Sequence, residues 1–260
     1  MAAVRQQKAR RIAGAATAES DWQSWLPLLH PPALDWAALV AGAQRLVVVA
    51  PHPDDELLAC GGALAMQAVR GGHSLVIGVT DGERSHGASP EGKLSSPALS
   101  SLAATRTSER LGGLRRLGLP APDVIALGLP DTGVAEQIDG LLHRLTALLR
   151  PADLVVSTWC LDGHPDHDAS GSAAARACQA VGCRHLEAPV WMWHWAAPGD
   201  LRVPWQRLVA VPLTPSALAK KQHALAAHVS QLLPRAGGLR PVLGEAIVAR
   251  AGRDFEYFLR

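Results

Sequence analysis

Residues 52–56 place one imidazole and three carboxylates close together, in the run His-Pro-Asp-Asp-Glu. A second polar run, His164-Pro165-Asp166-His167, adds two imidazoles and another carboxylate. Imidazole and carboxylate are ligands of catalytic zinc sites, which use three protein ligands and keep a fourth position open. The two runs therefore predict a metal site with groups beside it that can transfer protons.

Both runs directly follow a predicted strand. Residues 46–50 form an unbroken apolar run, as expected of a strand buried on both faces in a parallel sheet. Residues 154–158 are a second such strand. Because open α/β sheets bind ligands at the carboxyl ends of their strands, the two runs are expected to converge. His52 and Asp55 would then bind metal with one histidine of the 164–167 run, and spacing alone does not choose between His164 and His167.

The remaining groups suggest how such a metal would be used. A metal with an open position lowers the pKa of bound water and polarises a carbonyl oxygen. Asp54, beside the ligand Asp55, is placed to take a proton from that water as a general base. The histidine that is not a ligand, if held as an imidazolium, would stabilise an oxyanion. Zinc is favoured by its availability, although Fe(II), Co(II) or Ni(II) would suit the same ligands.

A purely structural explanation of the motifs is that Asp54 or Asp55 caps the following helix in an ordinary turn. That explanation accounts poorly for two such runs, each placed directly after a buried strand.

The predicted elements alternate between strands and helices, beginning with a βαβ unit. We expect one α/β domain over residues 1–260, a Rossmann-like three-layer sandwich with a mostly parallel sheet. Residues 1–20 are expected to be a polar arm or a first helix. The strands are predicted at 46–50, 74–80, 124–127, 154–158 and 208–211. The helices are predicted at about 35–42, 57–70, 102–117, 136–149, 169–181 and 216–233, and residues 81–101 are predicted to be a long loop.

Composition narrows the class of protein. Hydrophobic residues make up 48% and charged residues 18%, and the net charge is +2. This balance predicts no nucleic-acid partner, and no apolar stretch reaches the roughly 18 residues that span a membrane. The four cysteines form no CxxC pair, so we expect reduced thiols in a cytoplasmic protein. The sequence leaves open whether the protein forms a homo-oligomer. A nucleotide-binding Rossmann protein is disfavoured, because no G-x-G-x-x-G motif follows the first strand.

The two runs, in this order over residues 45–170, resemble the LmbE-like, PIG-L-type family of zinc-dependent N-acetylglucosaminyl deacetylases. The resemblance implies a Rossmann-like α/β fold. It also implies that His52, Asp55 and His167 bind Zn²⁺, that Asp54 is the general base and acid, and that His164 supports the oxyanion.

The resemblance extends to residues that border the sugar site in the family. Arg106 and Glu109, in Thr-Arg-Thr-Ser-Glu, resemble its arginine–glutamate helix, and Asp131 resembles the acidic residue after its third strand. Arg106 and Asp131 are therefore predicted to bind substrate; the alternatives are a salt bridge for Arg106 and a turn for Asp131. No family-wide motif is recognised after residue 185, so 186–260 is expected to be a variable C-terminal part.

Several residues outside the motifs also have side chains suited to ligands. Trp191, Trp193 and Trp195 alternate, which predicts one face of an extended segment. That face is either an aromatic platform for a sugar or aglycone, or part of the core. His86 is considered as a residue of a lid, whereas His223 and His228 are expected on a solvated helix without a function.

These features predict a metal-dependent hydrolase that removes the N-acetyl group from an N-acetylglucosamine-type conjugate, a small molecule. One alternative is a different amide, from a thiol–sugar conjugate or a longer N-acyl group. The other is a metal-binding or sugar-binding module without turnover, which would have no need of a base at Asp54.

Overall fold

The computed structural model describes residues 10, 12, 15–87 and 95–260. Its strands form one seven-stranded sheet in the order β3-β2-β1-β4-β5-β7-β6. Strands β1 to β5 are parallel, and β7 runs antiparallel to β5 and β6. The predicted α/β fold with a mostly parallel sheet is therefore confirmed. The strands are β1 Arg45–Ala50, β2 His73–Thr80, β3 Asp123–Leu129, β4 Asp153–Thr158, β5 Arg184–Ala188, β6 Leu208–Pro212 and β7 Phe255–Leu259.

Helices cover both faces of the sheet. Side chains of α3, α4 and α8 pack in one core cluster, and those of α5 and α6 pack in another on the opposite face. The helices are α1 Glu19–Leu29, α2 Trp36–Leu39, α3 Asp55–Val69, α4 Ser96–Leu117, α5 Ile138–Leu148, α6 Pro165–Val181, α7 Met192–Trp195, α8 Pro215–Leu225, α9 Val229–Leu232 and α10 Glu245–Ala251.

Strand β1 lies at the centre of this arrangement and is buried along its whole length. Leu46 and Val48 enter the core on the side of α3, and Val47 and Val49 enter the core on the side of α6. This confirms the prediction from the unbroken apolar run. The chain order reverses between β1 and β4, which pair with each other, and such a switch point is where open α/β sheets bind ligands.

A third cluster, rich in tryptophan, joins the beginning of the described chain to its C-terminal part. The rings of Trp22 and Trp193 meet edge to face at 5.1 Å, and the Trp22 indole N–H donates to the Trp193 carbonyl. The predicted extended segment with three tryptophans on one face is wrong, because 192–195 form the short helix α7. A helical turn points consecutive side chains in different directions, so Trp193 enters the core while Trp191 reaches the cavity described below.

Other boundaries differ from the predictions. Helix α4 begins at Ser96 rather than near 102, and 88–94 of the predicted loop lie outside the described residues. The predicted helix over 216–233 is divided into α8 and α9. His228 at this break is fully buried, so its expected place on a solvated helix is wrong. Strands β5 and β7 were not predicted, because their mixed polar and apolar residues lack the apolar run that identified β1.

Among the described residues, no helix is both long and apolar enough to cross a membrane. All four cysteines are free thiols, as expected, and Cys60 and Cys178 are buried.

Candidate active site

The two polar runs meet at the carboxyl ends of β1 and β4. Val49 of β1 is in register with Ser157 of β4, so the two strands end side by side. Helix α3 begins at Asp55, inside the first run, and α6 begins at Pro165, inside the second. Gly171 lets α6 approach closely, because a Cβ there would lie 2.4 Å from the Thr158 carbonyl oxygen. The predicted convergence of the two runs is therefore observed.

Three predicted ligands form a buried cluster. Asp55 Oδ2 lies 3.1 Å from His52 Nδ1 and 3.1 Å from His167 Nε2. The donor atoms of the three residues all lie within 4.8 Å of one another. His52, His164 and Asp166 form a second such group, which shares His52. Spacing left open whether His164 or His167 is the ligand, and each of them belongs to one of these two groups. Only the group with His167 is fully buried.

The first group fits a divalent metal. His167 Nε2 is fully buried and faces Asp55 Oδ2 at 3.1 Å, an ion-pair contact without the geometry of a hydrogen bond. Two ligand atoms that face each other in this way could share a divalent metal. The other ring nitrogen, Nδ1, lies 2.8 Å from Asp162 Oδ2. A carboxylate bonded to the remote nitrogen is the usual support of a metal-ligating histidine. Two imidazoles and one carboxylate are also a ligand set that suits zinc.

His52 is supported in the same way. Its Nε2 lies 3.1 Å from Asp166 Oδ2 and 3.4 Å from Asp131 Oδ1. Burial disfavours the charged ring, but hydrogen bonds to Asp131, Asp166 and Asp55 outweigh it and hold the pKa of His52 well above its ordinary value. Burial likewise opposes protonation of His167, but the neighbouring Asp55 and Asp162 raise its pKa to about 9. The surrounding carboxylates thus favour positive charge at this position.

Asp54 is only 4% exposed and faces the cluster without being part of it. Its φ of 139° is unusual for a residue with a side chain and costs about 1–3 kcal/mol. Arg106 Nη2 donates to Asp54 Oδ2 at 3.0 Å. Burial raises the pKa of Asp54 to about 7, against the opposing charge of Arg106. A carboxyl group with that pKa both accepts and returns a proton near neutral pH.

His164 occupies the N-cap position of α6, and its ring performs the capping. Its Nδ1 accepts a hydrogen bond from the backbone N–H of Asp166 at 3.2 Å. Because a neutral imidazole has one N–H, this bond places the hydrogen on Nε2. Burial, reinforced by the charges of His167 and His52, lowers the pKa of His164 to about 3. His164 is therefore a neutral N–H donor rather than the imidazolium considered from the sequence.

Arg106 and Glu109 connect the site to two other segments. Besides Asp54, Arg106 donates to the carbonyls of Gly82 and Pro53 at 2.8 and 2.9 Å. Glu109 accepts from both the N–H and the hydroxyl of Ser230, at 2.7 and 2.6 Å. Helix α4 thus contacts the turn that carries Asp54 through Arg106 and the C-terminal segment through Glu109.

Asp131, predicted to bind substrate, is almost fully buried and lies beside His52. Its Oδ2 accepts the backbone N–H of Arg84 at 2.7 Å. His86, considered as a residue of a lid, is not among the residues that line the cavity, and its ring Nε2 lies 3.0 Å from the Ser230 carbonyl oxygen. Asp131 and Arg106 both line the cavity, although their described bonds are to protein groups.

Two residues that support the ligands were not identified from the sequence, Asp162 and Asp166. Asp166 stands within the second polar run, and Asp162 precedes it by four positions. Their proximity to the predicted ligands was the available signal. Neither could be distinguished from a capping or turn residue until its bonds to His167 and His52 were known.

A cavity of about 250 Å³ leads to the cluster. It is small for a ligand site, so it admits a compact group such as one sugar ring and leaves the rest of a larger substrate outside. Side chains from the turns after β1, β2, β3 and β4 line it, together with residues of the C-terminal part. The lining residues include His52, Asp54, Asp55, Arg84, Ser85, Arg106, Asp131, Thr132, His164, Trp191 and Leu243.

Comparison with known proteins extends these observations. The profile of the family described as PIG-L, GlcNAc-PI de-N-acetylase, matches residues 47–178, which include every residue of both polar runs. A 1D-myo-inositol 2-acetamido-2-deoxy-alpha-D-glucopyranoside deacetylase of Rhodococcus erythropolis is 29% identical over 171 residues, covering 55% of each chain. A deacetylase of the same description from Catenulispora acidiphila is 38% identical over 101 residues, 39% of this chain and 27% of that protein. The chain thus spans between about a quarter and about half of the length of the curated relatives it matches.

Among solved structures, a deacetylase of the teicoplanin biosynthesis pathway superposes with a TM-score of 0.60. The superposition covers 83% of this chain and 96% of that one, at 17% identity. At this identity the similarity concerns the fold alone.

Proposed function

Since this chain belongs to the PIG-L, GlcNAc-PI de-N-acetylase family, we propose that it is a metal-dependent hydrolase that removes the N-acetyl group from an N-acetylglucosamine-type conjugate. The observation that carries the proposal is the buried group of His52, Asp55 and His167 with Asp54 beside it. The curated relatives are named as deacetylases of an inositol-linked acetamido sugar, which supports a small amino-sugar conjugate as substrate.

In this proposal His52, Asp55 and His167 hold Zn²⁺. The bound ion would polarise the amide carbonyl and lower the pKa of water. The buried Nε2 of His167, which faces Asp55 Oδ2, and the carboxylates behind both histidines support this assignment. The metal's identity is inferred from the ligand set, which other divalent transition metals also suit.

Asp54 acts as general base and then as general acid. It takes a proton from the attacking water while the new C–O bond forms at the amide carbonyl carbon. As the C–N bond breaks, Asp54 returns that proton to the leaving nitrogen, so that acetate and a free amine are produced. Arg106 holds one oxygen of Asp54, and the pKa of about 7 suits both steps.

His164 supplies the oxyanion donor in this proposal. As a neutral ring with Nδ1 occupied by the Asp166 N–H, it presents Nε2–H to the developing negative charge. A donor whose direction is already set by a helix cap needs no reorganisation as charge develops. Its ring centroid lies 4.9 Å from that of His52, so donor and ligand border the same small volume.

The proposal is tested by measuring bound metal and amine release on the same purified sample. We expect about one zinc per chain and release of free amine from N-acetylglucosamine conjugates that stops with a chelator and returns with zinc. Bound metal without release from any such conjugate would move the assignment to another amide, such as a thiol–sugar conjugate or a longer N-acyl group. A folded protein that binds no metal would rule out the mechanism.

A binding module without turnover is the alternative from a different class. A binding site has no use for a strained, buried carboxylate that lies beside the ligands without belonging to them, and Asp54 is such a group. Amine release that depends on Asp54 would exclude that alternative.

A further inference from the structure

The cavity has two walls of different chemistry. Polar side chains form one part of the lining, the polar wall, and apolar side chains from four separate parts of the chain form another, the apolar wall. The polar wall consists of Arg84, Ser85, Asp131 and Thr132. The apolar wall consists of Ile12, Leu58, Trp191, Val242 and Leu243.

The apolar wall is close to the metal ligands and is rigidly supported. Leu58 follows Asp55 by three residues in α3, which places the two on neighbouring positions of the helix surface. The Trp191 N–H donates to Asp162, the carboxylate that also contacts His167. Behind them, Leu58 and Trp191 pack against a core cluster that contains Leu243, Leu225, Ile247 and Ala251.

The polar wall is fixed by a different set of bonds. Asp131 contacts His52 and accepts the backbone N–H of Arg84, and the Arg84 guanidinium lies 3.4 Å from the Thr132 hydroxyl. Within the described part of the chain, no carboxylate pairs with that guanidinium. The wall therefore offers a donor to a ligand with hydroxyl or anionic oxygens.

Building on the proposed deacetylase function, we propose that the substrate carries an apolar substituent, which binds against the apolar wall. Sugar hydroxyls need hydrogen bonds when they leave water, and the polar wall supplies them. The apolar wall supplies apolar contact, which favours a group that gains by leaving water. The substituent belongs either to the aglycone or to the N-acyl chain, and the two sources are separated by experiment.

The experiment compares amine release from three compounds by the zinc-loaded enzyme: N-acetylglucosamine, its phenyl β-glycoside, and N-hexanoylglucosamine. We expect kcat/KM for one of the two apolar compounds to exceed that for N-acetylglucosamine at least about tenfold. A higher value for the glycoside assigns the substituent to the aglycone. A higher value for the hexanoyl compound assigns it to the acyl chain and replaces the acetyl group of the proposed function by a longer acyl group.

Two valine variants test whether this preference arises at the wall. Val242→Ser is expected to reduce the preference for the apolar compound several-fold. The control is Val248→Ser, since Val248 is a partly exposed residue of α10 outside the cavity, and it should leave the preference unchanged. Equal kcat/KM for all three compounds, or an equal loss in both variants, would overturn the inference but leave the deacetylase function. Release from none of the three would overturn the proposed function and the inference with it.

A second inference rests on Asp162, which is fully buried between β4 and α6. Its Oδ1 accepts the backbone N–H groups of Val190 and Met192 at 3.0 and 2.8 Å. Its Oδ2 accepts the N–H of Trp191 at 2.9 Å and lies 2.8 Å from His167 Nδ1. One carboxylate therefore joins the backbone of the Trp191 segment to a predicted metal ligand.

We infer that Asp162 is a positioning residue for the metal site. Three backbone donors fix the carboxylate, and the carboxylate fixes the tautomer and direction of His167. Because Nδ1–H then points at Asp162, Nε2 faces Asp55 and is the ring nitrogen available to a metal.

The test compares zinc affinity in Asp162→Asn and Asp153→Asn, by competition with a chromophoric chelator. Asp153 is an equally buried carboxylate at the other end of the β4 region, where it pairs with Arg45. We expect the zinc dissociation constant to rise about 10–100-fold in Asp162→Asn and to stay unchanged in Asp153→Asn.

A measurement on the unaltered protein covers the case in which Asp162→Asn does not fold. In the zinc-bound protein, ¹⁵N NMR should show a slowly exchanging Nδ1–H on His167. Zinc bound through Nδ1, or an equal loss of affinity in both variants, would contradict the role of Asp162.

Discussion

The tripeptide His-Pro-Asp occurs twice at the site, at 52–54 and at 164–166, and its two copies have different environments. Each copy follows the end of a parallel strand, and the two strands are neighbours in the sheet. The copies differ in where the next helix begins. Helix α3 begins after the first tripeptide, at Asp55, whereas α6 begins at Pro165, inside the second.

This difference changes the environment of each side chain. In the first copy His52 belongs to the fully buried group with Asp55 and His167, and Asp54 remains outside the helix with a φ of 139°, facing Arg106. In the second copy His164 caps the helix with its ring, and Asp166 turns its carboxylate to His52. The comparison teaches that the helix start, rather than the tripeptide, sets the environment of each histidine and aspartate.

The sharpest test compares the two histidines. His52→Ala is expected to remove stoichiometric metal and all measurable turnover, because it deletes a proposed ligand. His164→Ala should keep its metal and lose about 10²–10³ in kcat, the usual effect of removing one oxyanion donor. Metal content and amine release, measured on folded protein, distinguish the two. Equal loss of metal in both variants would show that the copies are equivalent.

The next test compares the two aspartates. Asp54→Asn should retain metal and lose about 10²–10⁴ in kcat, because it removes the proposed general base. Asp166→Asn should weaken zinc binding about 10–100-fold and lose less turnover at saturating zinc, since Asp166 supports a ligand. Near-normal activity of Asp54→Asn would remove the base assignment.

The smallest effects are expected at the two prolines. Pro165 is the first residue of α6, so Pro165→Ala should lower the free energy of unfolding by about 0.4–1 kcal/mol while kcat stays unchanged. Pro53 lies between His52 and Asp54 outside a helix, so Pro53→Ala should also lower kcat several-fold by loosening that turn. Urea denaturation and steady-state kinetics provide the two measurements. An unchanged kcat in Pro53→Ala would show that this proline has only a conformational role.

Much of the fold could be predicted from local patterns. The apolar runs at 46–50 and 154–158 identified the two strands whose ends form the site, and both are buried as expected. The α/β class and the family resemblance are confirmed. The ligand and base assignments remain predictions, although the structure brings His52, Asp55 and His167 together.

The C-terminal part was predicted less well, for a physical reason. Trp191 and Trp193 alternate in sequence as strand residues do, but tertiary packing of Trp193 against Trp22 accompanies a helical turn there. His228 has the polar character of a surface residue and is nonetheless fully buried beside α4. Burial, together with the charges of Arg106 and Arg110, lowers the pKa of His228 to about 3. Such placements depend on neighbours far away in the chain.

The sequence by itself determined which residues follow the central strands, and therefore which imidazoles and carboxylates meet at the edge of the sheet. Only the tertiary structure decided which nitrogen of His167 faces Asp55, that Asp162 and Asp166 contact the two histidines, and that Trp191 faces the cavity. Strand and helix positions depend on patterns over a few neighbouring residues. The partners of a buried side chain depend instead on how distant elements pack, which no local pattern specifies.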